Sequence, residues 1–157
     1  MAVFPPAPVI SALRDVLPAA ASLTAPDTWH VTLVFLGQVE PGRVAEILSA
    51  VPPPGPIRLR LCGDGAYGPV SWVGVHGDLP ALSGFREQIR AALAEGGFRS
   101  DPRPFSPHLT VSYHGDEAIR AALGGYSGEE WTVAEFALVS SVDGRYERVL
   151  SWPVSVT

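Results

Sequence analysis

Two short segments of the chain, His30-Val31-Thr32-Leu33-Val34 and His108-Leu109-Thr110-Val111-Ser112, carry the same order of His, apolar, Thr, apolar. In a β-strand successive side chains alternate sides, so each His shares a face with the Thr two residues on, while Val31/Leu33 and Leu109/Val111 point the other way. One face can pack and the other can do chemistry. A single His-x-Thr says little; two in similar surroundings point to two imidazoles and two hydroxyls converging on one site. Histidine titrates near about 6.5, so one ring can stand neutral as a base while another stands protonated as an acid. Cleavage of a phosphodiester uses that pair. One imidazole takes a proton from the attacking water or hydroxyl, the other protonates the leaving ribose oxygen, and a Thr beside each donates to the non-bridging oxygens. No metal ion is needed for it. The one cysteine, Cys62, rules out an intrachain disulfide and a thiolate cage, and no closely spaced His/Cys/carboxylate set exists beyond His108/His114.

The elements that must hold these segments are readable from periodicity. Val9, Ala12, Leu13, Val16 and Leu17 recur at helical spacing before Pro18, so Pro8 to Leu17 is expected to be a helix. The first motif strand is expected from Trp29 to Leu36, ending at Gly37, followed by a short helix opened by Pro41 with Val44, Ile47 and Leu48 on one side. Residues 57–61 and Val70 to Val75 alternate as strands, pairing through Gly63-Asp64-Gly65. A longer helix follows from about Leu79 to Glu95, with Leu82, Phe85, Ile89, Ala92 and Leu93 on its stripe and Gly96-Gly97 beyond its end. The second motif strand runs from Pro107 to Tyr113, a short helix from Asp116 to Leu123, and two final strands from Trp131 to Ser140 and Tyr146 to Val154 around Asp143-Gly144. Strand and helix thus alternate in two comparable halves. Neither the Pro-rich stretch 52–56 nor Phe98 to Pro107 reads as a linker, so residues 1–157 are expected to form a single domain of two lobes.

At 157 residues, 46% hydrophobic and 17% charged, the chain can bury a core of its own. Its net charge of −5 argues against broad capture of duplex nucleic acid, so any nucleic-acid contact must be local. All 11 basic residues are Arg, and neither Lys nor Asn occurs, which reads as codon bias of a GC-rich genome. No apolar run approaches a membrane span and no signal-type start is visible, so a cytoplasmic protein without a membrane partner, monomeric, is the expectation.

Other residues have plainer readings. His114 would share a face with Thr110 and Ser112 if the strand stayed regular, as a substrate contact; a solvated loop histidine is the simpler account, and likewise for His76. The run Gly63 to Gly68 lacks a following helix and reads as a hairpin connection rather than a phosphate loop. Tyr67 or Phe105 could stack on a base, though packing is the commoner role, and Trp29, Trp72, Trp131 and Trp152 read as core or sheet-surface residues.

Taken with Trp29 and Phe35-Leu36-Gly37 around the first motif, Arg103-Pro104-Phe105-Ser106-Pro107 before the second, and the closing Gly144-Arg145-Tyr146, the pattern resembles the two-histidine (2H) phosphoesterases. Within them it resembles the RNA 2′,3′-cyclic phosphodiesterase, or 2′-5′ RNA ligase-like, branch, over nearly the whole chain. The resemblance implies an α+β, bilobal, pseudo-twofold fold, with two antiparallel β-sheets around a central cleft and helices on the outer faces. It implies His30 and His108 as the acid/base pair, Thr32 and Thr110 as phosphate ligands, and no cofactor or metal. Its reaction opens a 2′,3′-cyclic phosphate to a 2′-phosphate, in some members with 2′-5′ ligation in reverse, so RNA ends or small cyclic nucleotides are the implied partners. It suggests His30 as donor to the leaving 3′ oxygen and His108 as base, an assignment the sequence leaves open. Many relatives carry basic residues at positions 106 and 113, where this chain has Ser106 and Tyr113. Arg103, Tyr113 and His114 stand as candidate substrate contacts. A binding module without turnover is the alternative; a metallohydrolase is disfavoured.

Overall fold

The computed structural model describes residues 1–143 and 145–154; Gly144, part of the expected final turn and of the closing motif, lies outside them. In chain order the elements are β1 (Ala2–Val3), α1 (Ala7–Val16), β2 (Val31–Thr32), α2 (Pro41–Ser49), β3 (Arg58–Tyr67), β4 (Val70–Gly77), α3 (Leu79–Glu95), β5 (His108–Ser112), α4 (Glu117–Gly124), β6 (Trp131–Thr132), β7 (Glu135–Val142) and β8 (Arg145–Pro153). The strands form an antiparallel sheet in the order β6-β3-β4-β5-β2-β1-β7-β8. Its halves, β6-β3-β4-β5 and β2-β1-β7-β8, are the two expected lobes, and the short β5–β2 ladder joins their sheets edge to edge. Both motif strands therefore sit at the centre of the molecule rather than on opposite walls.

The helices follow the apolar spacing. Val9 and Leu13 anchor α1, Val44 and Leu48 anchor α2, and Leu82, Phe85, Ile89 and Leu93 anchor α3. Asp116 caps α4 by accepting from the Ile119 amide at 2.9 Å, a contact of the kind worth about 1 kcal/mol. Phe85 of α3 meets Phe136 of β7 with ring centroids 4.4 Å apart, which ties α3 to the β7–β8 half. The core runs unbroken through the molecule and includes Trp29, Val31, Leu109 and Val111, the apolar partners of the motif residues. No helix among the described residues is long and apolar enough to cross a membrane.

Three expected strands differ from the structure, each for a local reason. The first motif strand is not eight residues but two, because after Thr32 the Leu33 and Val34 amides both turn to the Met1 carbonyl and both side chains go into the core. The segment Trp131 to Ser140 is split: β6 pairs with β3 at one end of the sheet, while β7 pairs with β1 and β8 in the other half. Finally, Gly63-Asp64-Gly65 is not the β3–β4 turn. It lies within β3, where the register shifts between Leu61 and Asp64, and the chain reverses instead after Tyr67. Gly65 is needed there because a Cβ on it would lie 2.1 Å from the Trp72 ring.

Candidate active site

The register at the centre of the sheet builds the site. Val31 pairs with Leu109 in an antiparallel ladder, so His30 stands across from Thr110 and Thr32 across from His108. Since Val31 and Leu109 face the core, the two His and two Thr share the opposite face. A pseudo-twofold relation passes between Val31 and Leu109, and each half of the site is the other turned about it. Thr24, Thr28, His30, Thr32, His108, Thr110, Tyr113 and Tyr146 line a cavity of about 160 Å³ on this face.

The two imidazoles are oriented in the same way. His30 Nδ1 is 2.7 Å from the Thr28 carbonyl oxygen, and His108 Nδ1 is 2.7 Å from the Ser106 carbonyl oxygen. A carbonyl only accepts, so each Nδ1 carries the proton and each Nε2 is left to exchange one with a ligand. Aromatic rings hold both histidines from the sides: Phe4 and Tyr146 at 5.7 and 5.3 Å from His30, Tyr67 and Trp72 at 5.4 and 5.5 Å from His108. Burial pushes His30 below its ordinary pKa; the bond to Thr28 opposes this, and the charges of the N-terminal amine and of His108 add to it. Burial likewise pushes the Tyr146 phenol up, with Tyr113 beside it contributing in the same direction.

Further residues hold these strands in place. Thr24 hydrogen-bonds to Val111 of β5 through its amide at 2.9 Å and its hydroxyl at 3.2 Å, and accepts from Trp29 Nε1 at 2.7 Å. The buried Arg86 donates through Nε to the Leu33 carbonyl at 2.8 Å and lies over the Phe105 ring at 4.7 Å, joining the exit of one motif to the approach of the other. Its place on the apolar stripe of α3, next to Phe85, was the only sequence signal of that role. Nothing in the sequence pattern pointed to Phe4 or Thr24.

Of the three candidate contacts, Tyr113 lines the cavity, whereas Arg103 and His114 do not. Ser71 pairs with Ser112 and Trp72 with Thr110, so β5 carries one extra residue at this point. That bulge shifts the alternation, turning Tyr113 toward the site and burying Ser112, whose hydroxyl donates to the Ser22 carbonyl at 2.5 Å. Arg103 instead grips Asp101 with Nε and a terminal nitrogen, which holds the Asp101 carboxyl down to about 2. Among the described residues no group of three His, Cys, Asp or Glu is placed to hold a metal ion.

The family model of the 2′-5′ RNA ligase superfamily matches residues 4–145, nearly the whole chain and both motifs. The chain belongs to that superfamily. It is 32% identical to an RNA 2′,3′-cyclic phosphodiesterase of Geobacillus stearothermophilus, across 76% of the chain, and spans about half of that relative's length (48%). It is 30% identical to an RNA 2′,3′-cyclic phosphodiesterase of Escherichia coli, across 79% of the chain and 72% of the relative. Among solved structures, Escherichia coli LigT complexed with 3′-AMP superposes with a TM-score of 0.75 at 25% identity, covering 98% of the chain and 95% of LigT. In this chain two phenols, Tyr113 and Tyr146, stand in the cavity lining beside the paired motifs.

Proposed function

We propose that this protein is a cyclic phosphodiesterase that opens 2′,3′-cyclic phosphate ends of RNA, or of small nucleotides, to the 2′-phosphate without a metal ion. The observation that carries the reading is the twofold-related pair of His Nε2 atoms, each set by an Nδ1–H bond to the carbonyl two residues earlier. The phosphate lies between the rings, with its non-bridging oxygens on Thr32 and Thr110. One imidazole takes a proton from water as the water oxygen bonds to phosphorus, the P–O3′ bond breaks, and the other imidazole gives its proton to O3′. Two such proton transfers, at about 10²- to 10⁴-fold each, supply much of the acceleration. In support, two relatives bear the name RNA 2′,3′-cyclic phosphodiesterase, and LigT was solved with 3′-AMP.

The family resemblance suggests His30 as the acid and His108 as the base. With its pKa held down by burial, His30 gains its proton together with the phosphate, whose negative charge favours the imidazolium. The 157 residues act as one unit and as a monomer in the cytoplasm, and ligation in the 2′-5′ sense is the reverse of the same reaction.

The test is incubation, in EDTA, with a short RNA ending in a 2′,3′-cyclic phosphate, beside a His30→Ala/His108→Ala control. A 2′-phosphate end made by the intact protein alone supports the reading. A second reading, a binding module for nucleotide or RNA ends, is favoured by the lack of Arg or Lys among the described residues of the cavity lining. Binding without product under the same conditions selects it.

A further inference from the structure

We propose that the cleft chooses its phosphate by charge, holding a singly charged diester in preference to a doubly charged monoester, and that Tyr113 is the residue that sets this preference. The inference rests on the cyclic-phosphodiesterase reading and adds what that reading leaves open, namely which ionic form of phosphate the site retains. The described lining of the cavity holds hydroxyls and two imidazoles but neither Arg nor Lys. The adjoining groove, of about 520 Å³, shares His30, Thr32 and Tyr146 with the cavity, and its described lining has no Arg, Lys, Asp or Glu side chain. Met1 also lines it, and burial pushes its amino group down to about 6, so that it is largely neutral at pH 8. Two guanidiniums of neighbouring segments are engaged with carboxylates. Arg103 is paired with Asp101, and Arg148 is paired with Glu135 while it lies over the Phe4 ring at 4.2 Å.

The energetic consequence follows from the square of the charge. Removing a dianion from water costs about four times as much as removing a monoanion of the same size, and only a fixed cation compensates the excess. The proton that His30 gains with the phosphate balances one negative charge, and the remaining neutral donors stabilise both ions without compensating the second charge of a dianion. A cyclic phosphodiester carries one charge, whereas a monoester with a second pKa of about 6 carries two at pH 8. The cleft therefore fits the substrate of the proposed reaction better than the product, and hydrolysis itself drives release. Tyr113 enters the mouth of this cavity next to Tyr146 and is 52% exposed, so a longer side chain there is tolerated without disturbing the core. An arginine at this position puts the missing cation against the bound phosphate.

Two ligands that cannot be turned over test the proposal: 3′-deoxyadenosine 2′-phosphate, doubly charged at pH 8, and its singly charged methyl ester. Titration calorimetry of the wild-type protein is expected to show the methyl ester bound at least about fivefold more tightly, and Tyr113→Arg to invert the order. Tyr113→Phe, which stays neutral, is expected to keep the wild-type order. Tighter binding of the monoester by the wild-type protein overturns the inference, as does an arginine that strengthens both ligands equally. Failure of both ligands to bind overturns the proposed function itself, which separates the two failures.

Discussion

The two halves of the site share a motif, a hydrogen bond and a pair of flanking rings, yet they are set in different material. His30 follows a 3₁₀ turn, Pro26–Thr28, and immediately precedes a two-residue strand whose neighbours are pinned by Thr24, Arg86 and Met1. His108 opens a five-residue strand that pairs along β4, and its rings, Tyr67 and Trp72, come from the β3–β4 hairpin. The first half is thus positioned by side chains and the second by a ladder. Equal geometry from unequal supports indicates that the bond to the carbonyl two residues before each histidine is the feature the chemistry requires, and that the surroundings are free to differ.

If both imidazoles move protons in one step, removing either must do comparable damage. His30→Ala and His108→Ala are each expected to lower kcat/KM on a nucleoside 2′,3′-cyclic phosphate by about 10²- to 10⁴-fold, with unchanged circular dichroism. The double variant is expected to lose little more than the worse single one, since residues that act as a unit are not additive. A loss confined to one histidine breaks the equivalence of the halves and leaves the other as a binding residue.

A second substitution acts on one half alone. Gly65→Ala places a Cβ 2.1 Å from the Trp72 ring, and relief of that clash moves Trp72 off the flank of His108. The expected outcome is destabilisation of about 1–3 kcal/mol in a denaturant melt. Activity falls about tenfold through misplacement of a catalytic group, a modest share of the loss that positioning can produce. Histidine NMR signals are expected to move for His108 and to stay for His30. Movement of both shows that the halves are coupled through the short β5–β2 ladder.

How far the sequence revealed this arrangement differs between the same two halves. The second motif was legible because β5 runs close to the expected span, and α3 and α4 were set by strong apolar periodicity and end signals. The extent of the first motif strand was not, because Leu33 and Val34 are both buried through a tertiary contact with Met1, which alternation cannot express. The bulge that exchanged His114 for Tyr113 in the cavity was invisible for the same reason: one extra residue against β4 is a property of the pairing, not of the segment. Arg103 was chosen as a possible phosphate contact for its charge, and Asp101, two residues away, claims it. The family match carried the pairing of the motifs, while only the structure showed what flanks each histidine.

The smallest effect separates the halves by proton affinity. Burial beside Phe4 and Tyr146 keeps the folded-state pKa of His30 below its ordinary value of about 6.5. Above that pH the ring is neutral in folded and unfolded chains alike, and His30 leaves stability undiminished. As the pH falls through 6.5 toward the lower folded value, the unfolded chain takes up a proton that the folded protein resists, and stability declines across that window. Phe4→Ala opens one side of the ring to water, so the NMR titration midpoint of His30 is expected to rise toward 6.5 and the slope of stability against pH in that window to flatten. Phe4 also carries the Arg148 guanidinium on its outer face, which stays paired with Glu135 when the ring is removed, so the change reads desolvation rather than a new charge. A midpoint that stays put or falls in Phe4→Ala means that the neighbouring charges of the Met1 amine and His108, not burial, set the proton affinity of His30, and the asymmetry then belongs to those charges rather than to the aromatic wall.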